Sequence, residues 1–303
     1  MKFLKIDSLD KNLRNKIEDH VLEYEKPKRK PMSLVFPVLA PVFLFARQSI
    51  RSAKNVKNKT LAKNKSDIFL PNVLVRHQSP LERKLGKADP KFTEAKRKNI
   101  ELAIEKLNGI KILPGENFSF WHIVGKPKKS NGYRDGMLLS NGEIIEGLGG
   151  GMCQLSNLLY WLFLHSPVEI TERHHHSHDP FPDSGRTLPF GSGATILYNH
   201  IDLGIKNTSK QELQIKLFLD DKYLKGRILS NKKANCKIHV YEKSHYFIKK
   251  GNQYFRYNEV WKDWKKDDKI VKTEKVIENF APVIYKVTGK YIEEHGFEVI
   301  ELK

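Results

Sequence analysis

The residues of this chain best suited to chemistry are a cysteine at the end of a glycine run and a cluster of histidines downstream of it. Residues 147–165 read GLGGGMCQLSNLLYWLFLH. Gly149, Gly150 and Gly151 can take positive φ and bring bare backbone close to another group, while Leu155, Leu158, Leu159, Leu162 and Phe163 recur at helical spacing. A glycine loop therefore runs into a buried helix, with Cys153 at the junction. Free N–H groups and the positive end of the helix dipole gather there, a setting that lowers a thiol pKa and predicts a thiolate.

Residues 172–179 read ERHHHSHD. Four histidines beside Asp179 cannot all be core residues, because each buried imidazole nitrogen needs a partner. Three readings stay open from the residues alone. A histidine takes the Cys153 proton and later returns it, as in cysteine–histidine nucleophilic catalysis. Alternatively Cys153 and two histidines hold zinc, although the spacing matches no ordinary zinc-finger pattern. In the third reading the histidines form a polar loop. A second glycine loop, residues 185–193, has the composition to aim backbone N–H groups at an anion, and a surface turn explains it as simply.

Several elements must position these groups. Residues 1–24 suggest an amphipathic helix with Leu13, Ile17, Val21 and Tyr24 on one face. An apolar run at 34–46 comes after a basic, proline-rich stretch; it is too short to span a bilayer, and Pro37 and Pro41 interrupt it. With Arg47 and Arg51 after it, the run suits lying at a membrane surface, inserting partway into one, or forming a buried extended segment. Residues 52–67, rich in lysine and asparagine, read as a linker or a solvated face. Thr93 caps a helix over 93–107 that Asn108 and Gly109 end. Short strands and glycine turns lead to the cysteine loop, and the chain beyond residue 194 is β-rich, with Leu213, Ile215, Leu217 and Leu219 alternating. A hairpin turning at Lys250, Gly251 and Asn252 carries one aromatic face. The expected fold is α+β, a largely antiparallel sheet packed on the buried helix. It divides into an N-terminal helical, basic and apolar region (1–66), a central domain (67–230) and a β-rich C-terminal extension (231–303).

A formal charge of +19 over 303 residues favours anionic partners without choosing among nucleic acid, phospholipid and wall polymer. No recognised nucleic-acid motif accompanies the charge, so no specific nucleic acid is expected. Two cysteines, Cys153 and Cys236, exclude a disulfide-dense scaffold and read as thiols. The first residues carry no recognisable export signal, which ranks a cytoplasmic or peripheral-membrane location above secretion.

Taken in order, KILPGENFSFW at 111–121, GGGMCQLS at 149–156, Glu172-Arg-His with His176-Ser177, Gly193-Ala-Thr-Ile, Asp202-Leu and Asn207 resemble the VanW family, named from vancomycin-resistance gene clusters. The resemblance extends from about residue 91 to about residue 230. Arg47-Gln-Ser49 and His165-Ser-Pro167 make the chain look closer to the resistance-cluster proteins than to the longer secreted members. Many of those have an aspartate where this chain has Gly193.

The resemblance implies a role in peptidoglycan metabolism or glycopeptide resistance, and some cell-wall members are associated with L,D-transpeptidation. Carried over, it makes Cys153 the nucleophile and His176 the base, oriented by His174 or Asp179. Gly149, Gly150, Gly151, Gln154, Arg173 and Ser177 are then the residues for substrate or oxyanion, with no metal and no cofactor. The expected partner is a peptidoglycan peptide or precursor, with an anionic membrane surface as a further one. The competing expectation is a non-catalytic accessory protein that binds an anionic wall or membrane component.

Overall fold

In a computed structural model of the chain, residues 2–27, 35–82, 90–140, 143–175, 178–179, 182–183 and 188–302 are described. The expected buried helix is α5 (Cys153–Leu164), numbering helices and strands in chain order. Leu155, Leu158, Leu159, Leu162 and Phe163 are all buried, at the centre of the largest core cluster. Each such side chain contributes roughly 1.5–3 kcal/mol by leaving water.

α5 lies against a four-stranded antiparallel sheet in the order β2 (Asn72–Pro80), β10 (Tyr223–Ser230), β9 (Leu213–Leu219), β3 (Lys111–Ile112). Gly226 in β10 permits the close approach, since a Cβ there would come within 2.7 Å of a Leu162 methyl. Around the same core sit α3 (Pro90–Leu107) and the short α4 (Phe120–Val124). A three-stranded sheet, β4 (Asn117–Ser119), β8 (Gly204–Asn207), β7 (Val168–Glu172), and the hairpin β5 (Asp135–Ser140), β6 (Glu143–Leu148) complete this part.

The C-terminal extension is a twisted hairpin ladder of 14-residue strands, β11 (Lys237–Lys250), β12 (Gln253–Lys266) and β13 (Lys269–Pro282). It turns at Gly251 as expected, where φ is +57°. β14 (Glu298–Leu302) joins it in parallel after the short α6 (Gly289–Glu294), and β1 (Lys2–Lys5) pairs in parallel with β14. The helix α1 (Lys11–Glu25) buries Ile17 and Val21 against Ile248, Phe255, Tyr257 and Ile300. The N-terminal segment therefore adds a strand and a helix to the C-terminal sheet. The core is also continuous between the central domain and the extension, because Val240 and Val260 lie in the α5 cluster.

Two local expectations are corrected. The apolar run is neither extended nor buried: it enters α2 (Ala40–Lys57), a helix with no buried residue. Nor do residues 52–57 form a linker, because α2 continues through them, tied down where Asn199 Nδ2 donates to Ser52 Oγ at 2.7 Å.

Candidate functional site

Cys153 is the first residue of α5 and is partly exposed, with a free thiol. The preceding glycines are shaped by packing. Gly149 and Gly151 have φ of +79° and +91°, and a Cβ on Gly150 would sit 2.1 Å from the Gly136 backbone. Their amides are spent inside the protein: Gly149 N–H donates to Arg134 O at 3.1 Å, Gly150 to Gly147 O at 3.2 Å and Gly151 to Met137 O at 3.1 Å. Buried Asn99 of α3 pins the loop further, its Nδ2 donating to Arg134 O and Gly150 O, both at 2.9 Å.

Two chemical expectations change here, and Arg173, which lines a cleft beside Glu172, is in addition bonded within the protein. Burial pushes the Cys153 thiol up, and the opposing pull of the Ile196 and Cys153 amides is the weaker effect. The lowered thiol pKa expected from the helix N-terminus is therefore not what this position provides. Gln154 N–H, expected as an oxyanion donor, donates to Gly151 O at 3.1 Å, and the Gln154 side chain is tied to Ser79 and Pro80 of β2. Arg173, expected at substrate, donates to the carbonyls of Gly191 and Gly193 and stacks 5.2 Å over the Tyr160 ring. Those contacts use the second glycine loop as an acceptor of Arg173, through its carbonyls.

The histidine segment is joined to α5 by residues 194–196. Thr195 N–H donates to His174 O at 2.8 Å, and Ser156 Oγ donates to Ala194 O at 2.7 Å. His174 is exposed, with Nε2 3.3 Å from Glu172 Oε1. His176 and Ser177 lie outside the described residues. Asp179, expected to orient a histidine, is buried and accepts from Arg256 Nη1 at 3.2 Å and from Tyr285 Oη at 3.1 Å. Arg256 also pairs with Asp183 and is stacked among Phe190, Phe247 and Phe297, so Asp179 serves to fix this segment to the C-terminal sheet. Among the described residues, no group of three histidine, cysteine or carboxylate side chains is arranged to hold a metal ion.

A second polar cluster went unread in the sequence. Arg51 of α2 donates to both carboxylate oxygens of Glu172 and, at 3.3 Å, to Asp202. Fully buried Asp202 accepts in addition from Ser119 Oγ and from Trp121 N–H at 3.1 Å. Burial pushes the Glu172 carboxyl up, but the hydrogen bond and charge of Arg51 outweigh it and hold it below the usual range; Asp202, more deeply buried, is pushed above it. Glu172 also lines a shallow cleft of about 390 Å³ with Tyr160, Ile170, Thr171 and Arg173 on one side and Val276, Ile277 and Glu278 of β13 on the other.

A family model described as VanW like protein matches residues 95–229, which hold Cys153, the histidine segment and Asp202. The chain is 32% identical over 233 residues to the vancomycin B-type resistance protein VanW of Enterococcus faecalis (strain ATCC 700802 / V583), covering 77% of this chain and 85% of that protein. The chain belongs to the VanW family. A second member of this likeness is the uncharacterized protein YoaR of Bacillus subtilis (strain 168), 29% identical over 121 residues, or 39% of the VanW-family chain and 37% of YoaR. No solved structure matches. The family match ends before β11, so the hairpin ladder that supplies one wall of the cleft lies outside it.

Proposed function

We propose that this VanW-family chain serves glycopeptide resistance as an accessory protein that binds a peptidoglycan peptide or its precursor. The observation that carries the reading is the state of Cys153. Burial pushes its thiol pKa up, and the amides of Gly149, Gly150, Gly151 and Gln154 are bonded to the carbonyls of Arg134, Gly147, Met137 and Gly151. The cleft beside Glu172 and Arg173 supplies the binding chemistry. Its apolar lining of Tyr160, Ile170, Val276 and Ile277 suits the alkyl side chains of a wall peptide, while the Glu172 carboxylate is paired with Arg51 and that of Glu278 with Lys275, Lys16 and His20.

The test is calorimetric titration of a lysine-containing stem peptide into wild type, Cys153→Ser and Thr171→Trp. Cys153→Ser is expected to bind as wild type does. Thr171→Trp, which places an indole at the cleft mouth, is expected to weaken binding by about tenfold. Loss of binding in Cys153→Ser, or none in wild type, would overturn the reading.

A second reading, cysteine acyl transfer of the L,D-transpeptidase kind, is favoured by one observation: Cys153 is partly exposed in the first turn of α5 and is linked to the His174 backbone through residues 194–196. In that chemistry the thiol adds to a peptide carbonyl, a thioester forms, the C–N bond breaks, and the histidine that took the thiol proton gives it to the leaving amine. Intact-mass trapping of a thioester that is absent in Cys153→Ser is its signature. In a Cys236→Ser background, Cys153 alkylation should follow an apparent pKa at or above the ordinary thiol value of about 8.5 for the binder, and one well below it for the enzyme.

A further inference from the structure

Residues 40–46, which open α2, are all apolar, and none of them is buried. Residues 41–47 are exposed without exception, and the turn leading in exposes Val38 and Leu39 as well. Val38 is 89% exposed, Val42 59% and Phe45 69%. Isolated apolar side chains on a surface are ordinary, but a helix that is hydrophobic all round belongs inside something.

The second half of the same helix is fastened down by polar contacts. Gln48 Nε2 donates to Tyr198 O at 3.0 Å, Arg51 grips Glu172 and Asp202, and Ser52 accepts from Asn199. The apolar half is thus held out from the body as a short spike.

We infer that this spike inserts into one leaflet of an anionic bilayer. Its length fits: residues 40–47 rise about 12 Å as a helix, short of a hydrocarbon core of about 30 Å. No helix among the described residues is long and apolar enough to cross a membrane, in keeping with partial insertion. The charge fits as well. α2 contains no acidic residue, and Arg47, Lys54 and Lys57 come after the apolar half, where lipid phosphates would meet them as the spike enters. A second copy is a poor occupant, because each copy carries +19 and the flanks of the spike repel their own kind. Since Arg51 anchors the helix to Glu172, insertion also holds the neighbouring cleft close to the headgroups. This inference does not depend on what the cleft binds.

The experiment uses the full chain and vesicles of mixed phosphatidylglycerol and phosphatidylcholine, with pure phosphatidylcholine beside them. Wild type should sediment with the anionic vesicles, and Phe43→Ser/Phe45→Ser should lose about tenfold in partition for each ring removed. The difference emission between Phe45→Trp and wild type should shift to the blue on anionic vesicles and be quenched by lipids brominated in the acyl chain. Equal capture of wild type and the double variant would mean that charge alone holds the protein and would overturn the inference. So would an unshifted difference emission, a self-association that the double variant abolishes, or a fall in its thermal midpoint, which would show the rings packing inside the chain.

Discussion

Two helices in this molecule carry its clearest apolar runs, and they meet opposite fates. α5 has leucines and aromatics at 155, 158, 159, 162 and 163, all buried, on a helix that packs against β10, β2 and β7. α2 has Val42, Phe43, Leu44 and Phe45 in its first half, all exposed. The apolar content of the two runs does not by itself decide their fates. What separates them is whether a neighbouring element has left room: Gly226 clears a groove for Leu162, and Asn99 holds the loop that leads into α5, whereas among the described residues the side-chain hydrogen bonds that tie α2 to the protein come from Gln48, Arg51 and Ser52. A helix attached by polar groups at one half has its apolar half free for a different solvent.

The comparison breaks most forcefully by shortening one apolar side chain in each helix. Leu159→Ala should cost about 2–5 kcal/mol of unfolding free energy, since the fully buried site leaves a cavity in a packed core. Phe45→Ala should change stability by no more than about 0.5 kcal/mol, as for an exposed position. Urea unfolding measures both, and a comparable loss in the two would show that α2 is packed in solution. Next in size is Arg51→Met, which removes the guanidinium from Glu172 and buried Asp202. About 2–3 kcal/mol should be lost, the usual worth of hydrogen bonds to charged groups, and trypsin should cut within 40–57 sooner than in wild type. Unchanged proteolysis there would mean that Gln48 and Ser52 suffice to hold the helix.

How much of the molecule was legible in its sequence depends on the range of each interaction. The leucines of α5, the stripe of α1 at Ile17 and Val21, and the hairpin around Gly251 are local patterns, and the structure realises them. The parallel pairing of β1 with β14 joins the two ends of the chain, and no periodicity announces such a pairing. The Arg51–Glu172 contact spans 121 residues, so Glu172 was visible only as part of a motif and Arg51 only as a charge after an apolar run. Cys153 is legible by its place at a helix start, but the direction of its thiol pKa is not, because the dipole is read from sequence while the opposing burial comes from the core packed around it. Asp179 was grouped with the histidines by adjacency, and its salt bridge to Arg256 comes from another sheet.

The gentlest change sharpens the comparison at the anchor itself. Glu172→Gln keeps an acceptor for Arg51 but removes the charge, so about 1–2 kcal/mol should be lost at neutral pH. The Glu172 carboxyl is held below its ordinary value of 4.5, which means that the unfolded chain takes up this proton first as the solution is acidified. Its contribution is therefore present above pH 4.5 and fades as the pH falls through the folded value. Asp202, pushed the other way, has the opposite slope and is shared by wild type and variant, so the difference between the two isolates Glu172. Denaturation series from pH 7 downward should show the gap constant near neutrality and closing below 4.5. A gap that stays open in acid would assign the anchoring to hydrogen-bond geometry and leave charge no part in holding the spike.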